Sequence, residues 1–128
     1  MLALDLDHFK AVNDCHGHQV GDDILKIFVA AVKQDLRTSD LVARTGGEEF
    51  KILLPDTALA EAVAIAERIR ERVAALAVDT GEATVTVTVS IGCAAFEGDL
   101  QSTERVADEC LYRAKALGRN RVVSAEAA

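Results

Sequence analysis

Residues Leu41–Leu54 read LVARTGGEEFKILL, two apolar-rich runs separated by a polar segment with two adjacent glycines. Short runs of this kind on either side of a glycine pair predict two strands that pair as a β-hairpin. Gly46 and Gly47 suit the positive φ angles of a tight hairpin turn. The stretch therefore predicts a hairpin with two carboxylates, those of Glu48 and Glu49, next to its turn.

The spacing of apolar residues around this hairpin predicts the other elements of the fold. Strands are predicted at residues 2–6, 41–44, 49–54, 84–91 and 121–123, and helices at about 21–36, 59–76 and 103–117. Residues 13–14 and 17–18 indicate turns between the first strand and the first helix. Asp56 or Thr57 is expected to cap the second helix, and Gly118 to end the last one.

The order of these elements decides the fold class. It runs βαββα and continues with a β-hairpin, a helix and a strand, and such a mixed order excludes a fully parallel doubly wound sheet. We expect an α+β fold, an αβ sandwich in which helices flank a mixed, largely antiparallel central sheet. The length of 128 residues fits one domain, residues 1–128.

Composition excludes several classes of function. The formal net charge of −7 disfavours binding to a nucleic-acid polymer, whose backbone is also negative. No apolar run approaches the roughly 18–20 residues that cross a membrane. The three cysteines include no CxxC pair, so neither a disulfide framework nor a zinc site is indicated. Reduced thiols are typical of the cytoplasm, where we expect this chain.

Three carboxylates are candidates for a metal site. Asp5 lies near the end of the first strand, and Glu48 and Glu49 lie at the hairpin tip. If the first strand lies beside the hairpin, the three converge, and the like charges raise the free energy of the site. A divalent cation relieves this repulsion, and a site made only of oxygen ligands suits Mg²⁺, which usually binds phosphate as well.

Two further features are candidates for phosphate binding. The backbone that leaves the first strand after Asp7 can direct N–H groups at an anion, and Lys10 adds positive charge there. Lys115 and Arg119 are four residues apart near the end of the last helix, where they are expected to face the same way.

Each of these features alone also has a simple structural explanation. A glycine pair followed by acidic residues is often only a turn, and basic residues at a helix C-terminus complement the helix dipole. Asp5 and Asp7 can be solvated residues at a strand end. Because the features converge on one edge of the predicted sheet, together they favour a site for a Mg²⁺-bound nucleotide.

The motifs of this chain resemble those of the GGDEF family. Gly46–Phe50 resembles the family signature in its GGEEF form. Other matching segments follow in the family's order: residues 5–10, 13–14, 17–18, 21–22, 90–92, 107–108, 112, 114–115 and 118–120. The resemblance covers nearly the whole chain.

The resemblance implies a polymerase-palm-like nucleotide-cyclase fold and a diguanylate cyclase activity. Two GTP would condense into cyclic di-GMP and release two pyrophosphates, with Mg²⁺ or Mn²⁺ as cofactor. Because each domain would hold one GTP, the reaction requires a homodimer. The family's domain begins with an N-terminal helical segment, so the resemblance also implies a domain shortened at the front.

The resemblance further implies roles for individual residues. Asp5, Glu48 and the Leu6 carbonyl would hold the metal ion, Glu49 would support the metal site, and Glu48 would take the proton from the ribose 3′-hydroxyl. The remaining implied contacts are with GTP. Asn13 and Asp22 would read the guanine, in a pocket that Leu25 lines. Gly46 and Gly47 would lie against the substrate. The phosphates would be held by the Phe9 and Lys10 amides together with Lys115 and Arg119.

Arg37 and Asp40 form an RxxD pattern upstream of the hairpin, similar to the family's product-inhibition site. Arg68 lies where a second arginine of that site would come. The pattern is short, and a surface ion pair is its simplest alternative. The spacing to Gly46 favours a product-binding site.

Other functions remain alternatives to an active cyclase. A non-catalytic receptor for GTP or cyclic di-GMP would use Arg37 and Asp40, an interaction scaffold would need no clustered acids, and a related enzyme could make a cyclic mononucleotide. The intact Glu48 and Glu49 favour catalysis, and Asn13 with Asp22 favours guanine.

Overall fold

A computed structural model describes residues 1–125 of the chain. This part of the sequence forms seven strands and four helices. They are β1 (Leu2–Leu6), α1 (Phe9–His16), α2 (His18–Lys33), β2 (Leu41–Arg44), β3 (Glu49–Leu53), α3 (Leu59–Ala74), β4 (Val78–Asp79), β5 (Thr84–Val85), β6 (Val89–Cys93), α4 (Leu100–Ala116) and β7 (Val122–Ser124).

Five of the strands form the main sheet, in the order β2-β3-β1-β6-β7. β1 lies at its centre and pairs antiparallel with both β3 and β6, whereas β7 joins β6 in parallel. β4 and β5 form a separate antiparallel pair. The mixed, largely antiparallel sheet with flanking helices confirms the predicted α+β class.

One face of the sheet carries the larger part of the core. Leu2, Leu4 and Leu6 point from β1 toward this face, and all three are buried. Phe28 of α2 packs on Phe50 of β3 with ring centroids 5.0 Å apart, so the helix is fixed on the sheet by an aromatic pair. α1, α2 and α3 cover this face.

The opposite face is covered by α4 and is lined by small residues. Ala3 packs with Ala94, Ala107 and Leu111 in a second buried cluster. Gly92 of β6 lies so close to α4 that a β-carbon there would overlap backbone atoms of Ala107 and Leu111. Small side chains thus let α4 approach the sheet, and this approach sets the position of everything α4 carries.

The segment after β1 is a helix, not the predicted turn. Asn13 and Asp14 lie inside α1, and α2 begins at His18 rather than at Gly21 and ends at Lys33 rather than near Leu36. Gly17, with a φ of 89°, separates the two helices. The turn-forming residues were misleading because α1 is stabilised by packing Phe9 into the core, not by its own sequence preference.

Several predicted boundaries were also wrong. The strand predicted at 84–91 is divided into β5 and β6, although its alternate valines, such as Val85 and Val87, are buried as expected. Neither Asp56 nor Thr57 is the N-cap of α3, because that position is Ala58. α4 begins three residues earlier than predicted, since Asp99 caps it by accepting from the Gln101 and Ser102 amides.

Smaller differences concern the ends of elements and a pair of short strands. β3 ends at Leu53, α3 at Ala74 and α4 at Ala116, and the last strand covers Val122–Ser124. No residue range was predicted for β4, although the predicted element order includes a β-hairpin here, where β4 pairs antiparallel with β5. No helix in residues 1–125 is long and apolar enough to cross a membrane.

We predict that Gly92→Ala lowers the free energy of unfolding by about 1–3 kcal/mol, because the added methyl group forces α4 away from the sheet. Chemical denaturation measures the change. Gly47→Ala is the matched control, since nothing lies within 4 Å of a β-carbon at that position. Equal losses of stability in the two variants would contradict the close packing of α4 on β6.

Candidate active site

The hairpin loop joins β2 to β3 through four residues, Thr45 to Glu48. Gly46 and Gly47 do not adopt the left-handed backbone conformation, so the predicted positive φ angles were wrong. A loop of this length is commonly built on an ordinary type I turn, which needs no positive φ at its two central residues. The Arg44 guanidinium holds the loop closed by donating to the carbonyls of Gly46 and Gly47 at 2.7–3.1 Å.

The register of β1 against β3 brings the predicted carboxylates together. Asp5 is the cross-strand partner of Glu49, and the Leu6 amide donates to the Glu48 carbonyl at 3.2 Å. Directly opposed residues on one face of an antiparallel pair lie close to each other. The first strand thus lies beside the hairpin, which is the condition on which the predicted convergence depends.

Lys115 is part of this cluster, which the sequence did not indicate. Its ammonium group forms an ion pair with the Asp5 carboxylate. Asp5 faces α4 because it alternates with Leu4 and Leu6 along β1 and so shares the face of Ala3. Lys115, which is predicted to bind phosphate, thus pairs with the buried metal-ligand candidate in this structure.

Burial raises the pKa of Asp5 above its ordinary value. The hydrogen bond and the positive charge of Lys115 lower this pKa, whereas the negative charges of Glu48 and Glu49 raise it. The net direction is upward, so the fold disfavours the ionised form of Asp5 despite Lys115. A cation at this edge of the sheet would reverse that preference.

The donor set at this edge fits a hard divalent cation. The predicted set consists of oxygen atoms only: the carboxylates of Asp5 and Glu48 and the carbonyl of Leu6. In residues 1–125 no three His, Cys, Asp or Glu side chains are arranged to hold a metal ion by themselves. Mg²⁺ usually binds one or two carboxylates and completes its shell with water and substrate phosphate, which matches this sparse set.

The N-terminus of α1 provides free backbone donors beside the carboxylates. The amides of Phe9 and Lys10 belong to the first helical turn, where N–H groups have no acceptor within the helix. His8 adopts the left-handed conformation, with a φ of 56°, and so redirects the chain from β1 into α1. This geometry supports the predicted anion-binding loop.

Arg119 does not share a helix face with Lys115, contrary to the expectation from their spacing in the sequence. α4 ends at Ala116, and Gly118, Arg119 and Asn120 have φ angles of 126°, 66° and 46°. The Arg119 amide donates to the Ala114 carbonyl at 3.0 Å. The Arg119 side chain is therefore exposed from a left-handed turn rather than from the helix.

Asn13 and Asp22 lie on two neighbouring helices, α1 and α2. Gly21 separates them, and a β-carbon at Gly21 would overlap the side-chain oxygen of Asn13. Leu25 is buried one turn further along α2. The absence of a side chain at Gly21 thus leaves room for the Asn13 side chain against α2.

Asp7 is a polar residue whose role the sequence did not predict. It is buried, and its carboxylate accepts from the Thr88 and Ser90 hydroxyls and the Asn120 amide. The only signal in the sequence is a second carboxylate two residues after Asp5, at the end of an apolar strand.

Arg37 and Asp40 form the ion pair that was the simplest interpretation of their spacing. The guanidinium of Arg37 also donates to the Pro55 carbonyl and the Thr57 hydroxyl, both at 2.8 Å. Arg68 lies 3.8 Å from Asp35, which precedes Arg37 by two residues. Both arginines thus flank one part of the surface, away from the hairpin loop.

We predict that Asp5→Asn raises the melting temperature of the metal-free protein at neutral pH, because the fold no longer has to bury a carboxylate. A raised pKa means that the Asp5 contribution to stability is present below the unfolded-state pKa, about 4, and is lost as pH rises through the folded-state pKa. The gain should therefore shrink as the pH is lowered toward 4.

Thermal unfolding in the presence of a chelator, measured across this pH range, tests the prediction. Asp14→Asn, at an exposed position of α1, is the control. A lower melting temperature for Asp5→Asn at pH 7 would mean that the ion pair with Lys115 outweighs burial.

The chain is similar to proteins of known sequence and structure. "Response regulator PleD" of Caulobacter vibrioides is 46% identical over 127 residues, which cover 95% of this chain and 28% of PleD. "Probable diguanylate cyclase DgcT" of Escherichia coli is 47% identical over 128 residues, 96% of this chain and 28% of DgcT. The chain thus spans little more than a quarter of these relatives.

A solved structure has the same fold. The GGDEF domain of DgcB from Caulobacter crescentus, in complex with c-di-GMP, superposes with a TM-score of 0.90 at 32% identity, covering 98% of this chain and 77% of that one. The family described as "Diguanylate cyclase, GGDEF domain" matches residues 1–121. This chain therefore belongs to the GGDEF diguanylate cyclase family.

Proposed function

We propose that this chain is the catalytic domain of a diguanylate cyclase, which condenses two GTP into cyclic di-GMP and two pyrophosphates. The register of Asp5 against Glu49, with Glu48 beside Leu6, supports the proposal, because it pairs the hairpin with the strand whose end leads into α1. Family membership and the names of the relatives support it.

The proposed chemistry is phosphoryl transfer between two nucleotides. The 3′-oxygen of one GTP attacks the α-phosphorus of the other, the bond to the β-phosphate oxygen breaks, and pyrophosphate leaves. Glu48 takes the proton of the 3′-hydroxyl. A second, reciprocal transfer closes the ring. In both transfers the protein acts by positioning the reactants and neutralising charge.

A divalent cation, which we propose to be Mg²⁺ or Mn²⁺, would be held by Asp5, Glu48 and the Leu6 carbonyl. Bound there, it would neutralise charge on the phosphates of the substrate. Binding would also compete with Lys115 for Asp5, and Lys115 could then contact the triphosphate together with Arg119. Glu49 would add negative charge that strengthens cation binding.

The substrate side of the site lies along α1 and α2. Asn13 and Asp22 would read the guanine, Leu25 would line its pocket, and the amides of Phe9 and Lys10 would bind phosphate. Gly46 and Gly47 leave the hairpin loop free of side chains that would obstruct the nucleotide. Each domain presents one such site, so two domains must face each other for the reaction to proceed.

Arg37, Asp40 and Arg68 are proposed to bind the product and inhibit the enzyme. Arg37 is already fixed by Asp40, Pro55 and Thr57, so little side-chain freedom is lost when it binds a phosphate.

The three free cysteines, of which Cys93 and Cys110 are buried, are consistent with our proposal that the domain works in the cytoplasm.

We predict that Glu48→Ala lowers kcat for cyclic di-GMP formation by at least about 100-fold, because it removes the proton acceptor. Incubation with GTP and Mg²⁺, followed by mass spectrometry of the product, measures the rate. Glu82→Ala, in the exposed turn after β4, is the control and should retain the rate. Full activity of a folded Glu48→Ala protein would remove Glu48 from the mechanism.

A wild-type chain that binds GTP or cyclic di-GMP but forms no product as a dimer would identify a receptor instead of an enzyme. Oligomeric state should therefore be measured in the same samples.

We predict that Arg37→Ala raises the cyclic di-GMP concentration for half-inhibition by at least about tenfold, because a charge-assisted contact to phosphate is lost. Initial rates at increasing product concentration measure the change. Arg105→Ala removes an exposed arginine from α4 and should leave inhibition unchanged. Unaltered inhibition of Arg37→Ala would restrict this residue to its ion pair with Asp40.

A further inference from the structure

The carboxylate of Asp7 joins three separate segments of the chain. Its Oδ1 accepts from the Ser90 hydroxyl at 2.7 Å, and its Oδ2 accepts from the Thr88 hydroxyl at 2.7 Å and the Asn120 amide at 3.0 Å. The Asp7 amide donates to the Thr88 carbonyl at 2.9 Å. One side chain thus links the end of β1 to β6 and to the turn after α4.

This arrangement differs from that of Asp5. Asp7 is only 5% exposed, yet among residues 1–125 no ion pair involves it. A buried carboxylate is tolerated when hydrogen-bond donors compensate for lost water, and bonds to a charged acceptor are stronger than neutral ones. Its three donors therefore fix both the carboxylate and the segments that supply them.

Two of the linked segments are the candidate phosphate-binding parts of the site. Asp7 directly precedes His8, whose left-handed conformation opens the amide end of α1. On the other side, Asn120 follows Arg119, and both have positive φ angles, 66° and 46°. Such conformations are costly for residues other than glycine and persist only where surrounding contacts hold them.

The contacts that hold this turn come from two sides. The Asn120 amide donates to Asp7, and the Asn120 side-chain oxygen accepts from Arg70 of α3 at 3.1 Å. The bond to Asp7 lies at the candidate-site edge of the sheet, because Asp7 directly follows the strand that carries Asp5 and Leu6.

We propose that Asp7 is a positioning residue for triphosphate binding, setting the distance between the Arg119 turn and the amide end of α1 so that both can contact one substrate. This inference rests on the proposed function, because it assumes that these two parts bind the same triphosphate. Asp7 itself does not contact the nucleotide.

The decisive variant is Asp7→Asn. The side-chain nitrogen of the new asparagine is a donor and cannot accept a hydrogen bond. In place of Oδ2 it loses the bonds from the Thr88 hydroxyl and the Asn120 amide, and in place of Oδ1 it loses the bond from the Ser90 hydroxyl. We expect GTP affinity to fall about tenfold, the equivalent of one charge-assisted hydrogen bond. Affinity for guanosine should stay within about twofold, because guanosine uses Asn13 and Asp22 and has no phosphate.

Titration calorimetry with GTP and with guanosine, both with Mg²⁺, measures this difference on the wild-type chain and its variants. Thr88→Val removes one hydroxyl from Asp7 and should weaken GTP binding about threefold, again without affecting guanosine. Thr86→Val deletes the hydroxyl of an exposed threonine two residues away and should match the wild type.

Equal weakening of GTP and guanosine binding in Asp7→Asn would reduce Asp7 to a purely structural role, and unchanged GTP affinity would also overturn the proposal. If Asp7→Asn does not fold, Thr88→Val decides by the same comparison. Hydrogen exchange of the Asn120 amide, which should accelerate in both variants, gives a readout without nucleotide. A wild-type chain that binds GTP but makes no cyclic di-GMP would reject the cyclase, not the role of Asp7.

Discussion

The pairing of β1 between β3 and β6 is the constraint on which the rest of the structure depends. It places the strand at the centre of the sheet, where alternate side chains must face two different helical layers. Leu2, Leu4 and Leu6 enter the main core, while Ala3 and Asp5 face α4. A shift of one residue in this register would exchange the two sets and bury the leucines against the wrong layer.

The same constraint creates an electrostatic problem at the end of the strand. Asp5 and Asp7 are both about 5% exposed, and a buried carboxylate needs compensation. Asp5 is compensated by Lys115, a partly exposed side chain that a cation could replace. Asp7 is compensated by hydroxyl and amide donors that belong to the fold. One carboxylate can thus change partners during function, whereas the other holds its surroundings in place.

The position of α4 connects these carboxylates to the packing of the sheet. Gly92 and Ala3 allow the helix to approach the strands closely, and the helix then presents Lys115 to Asp5. A larger side chain at Gly92 would therefore affect Asp5 indirectly, by displacing the helix that carries Lys115. Packing and electrostatics are not independent in this domain.

The sequence by itself determined the α+β class and the hairpin at Gly46–Phe50, with Glu48 and Glu49 next to its turn. These features depend on local patterns, namely alternation along strands and a glycine pair between two apolar runs, and local patterns are readable without a fold. Only the tertiary structure decided that Asp5 lies opposite Glu49 of the hairpin, that Lys115 binds Asp5, and that α1 forms where turn residues predominate. Each of these depends on contacts between residues distant in sequence, such as Asp7 with Asn120, and the sequence does not encode such contacts in any short pattern.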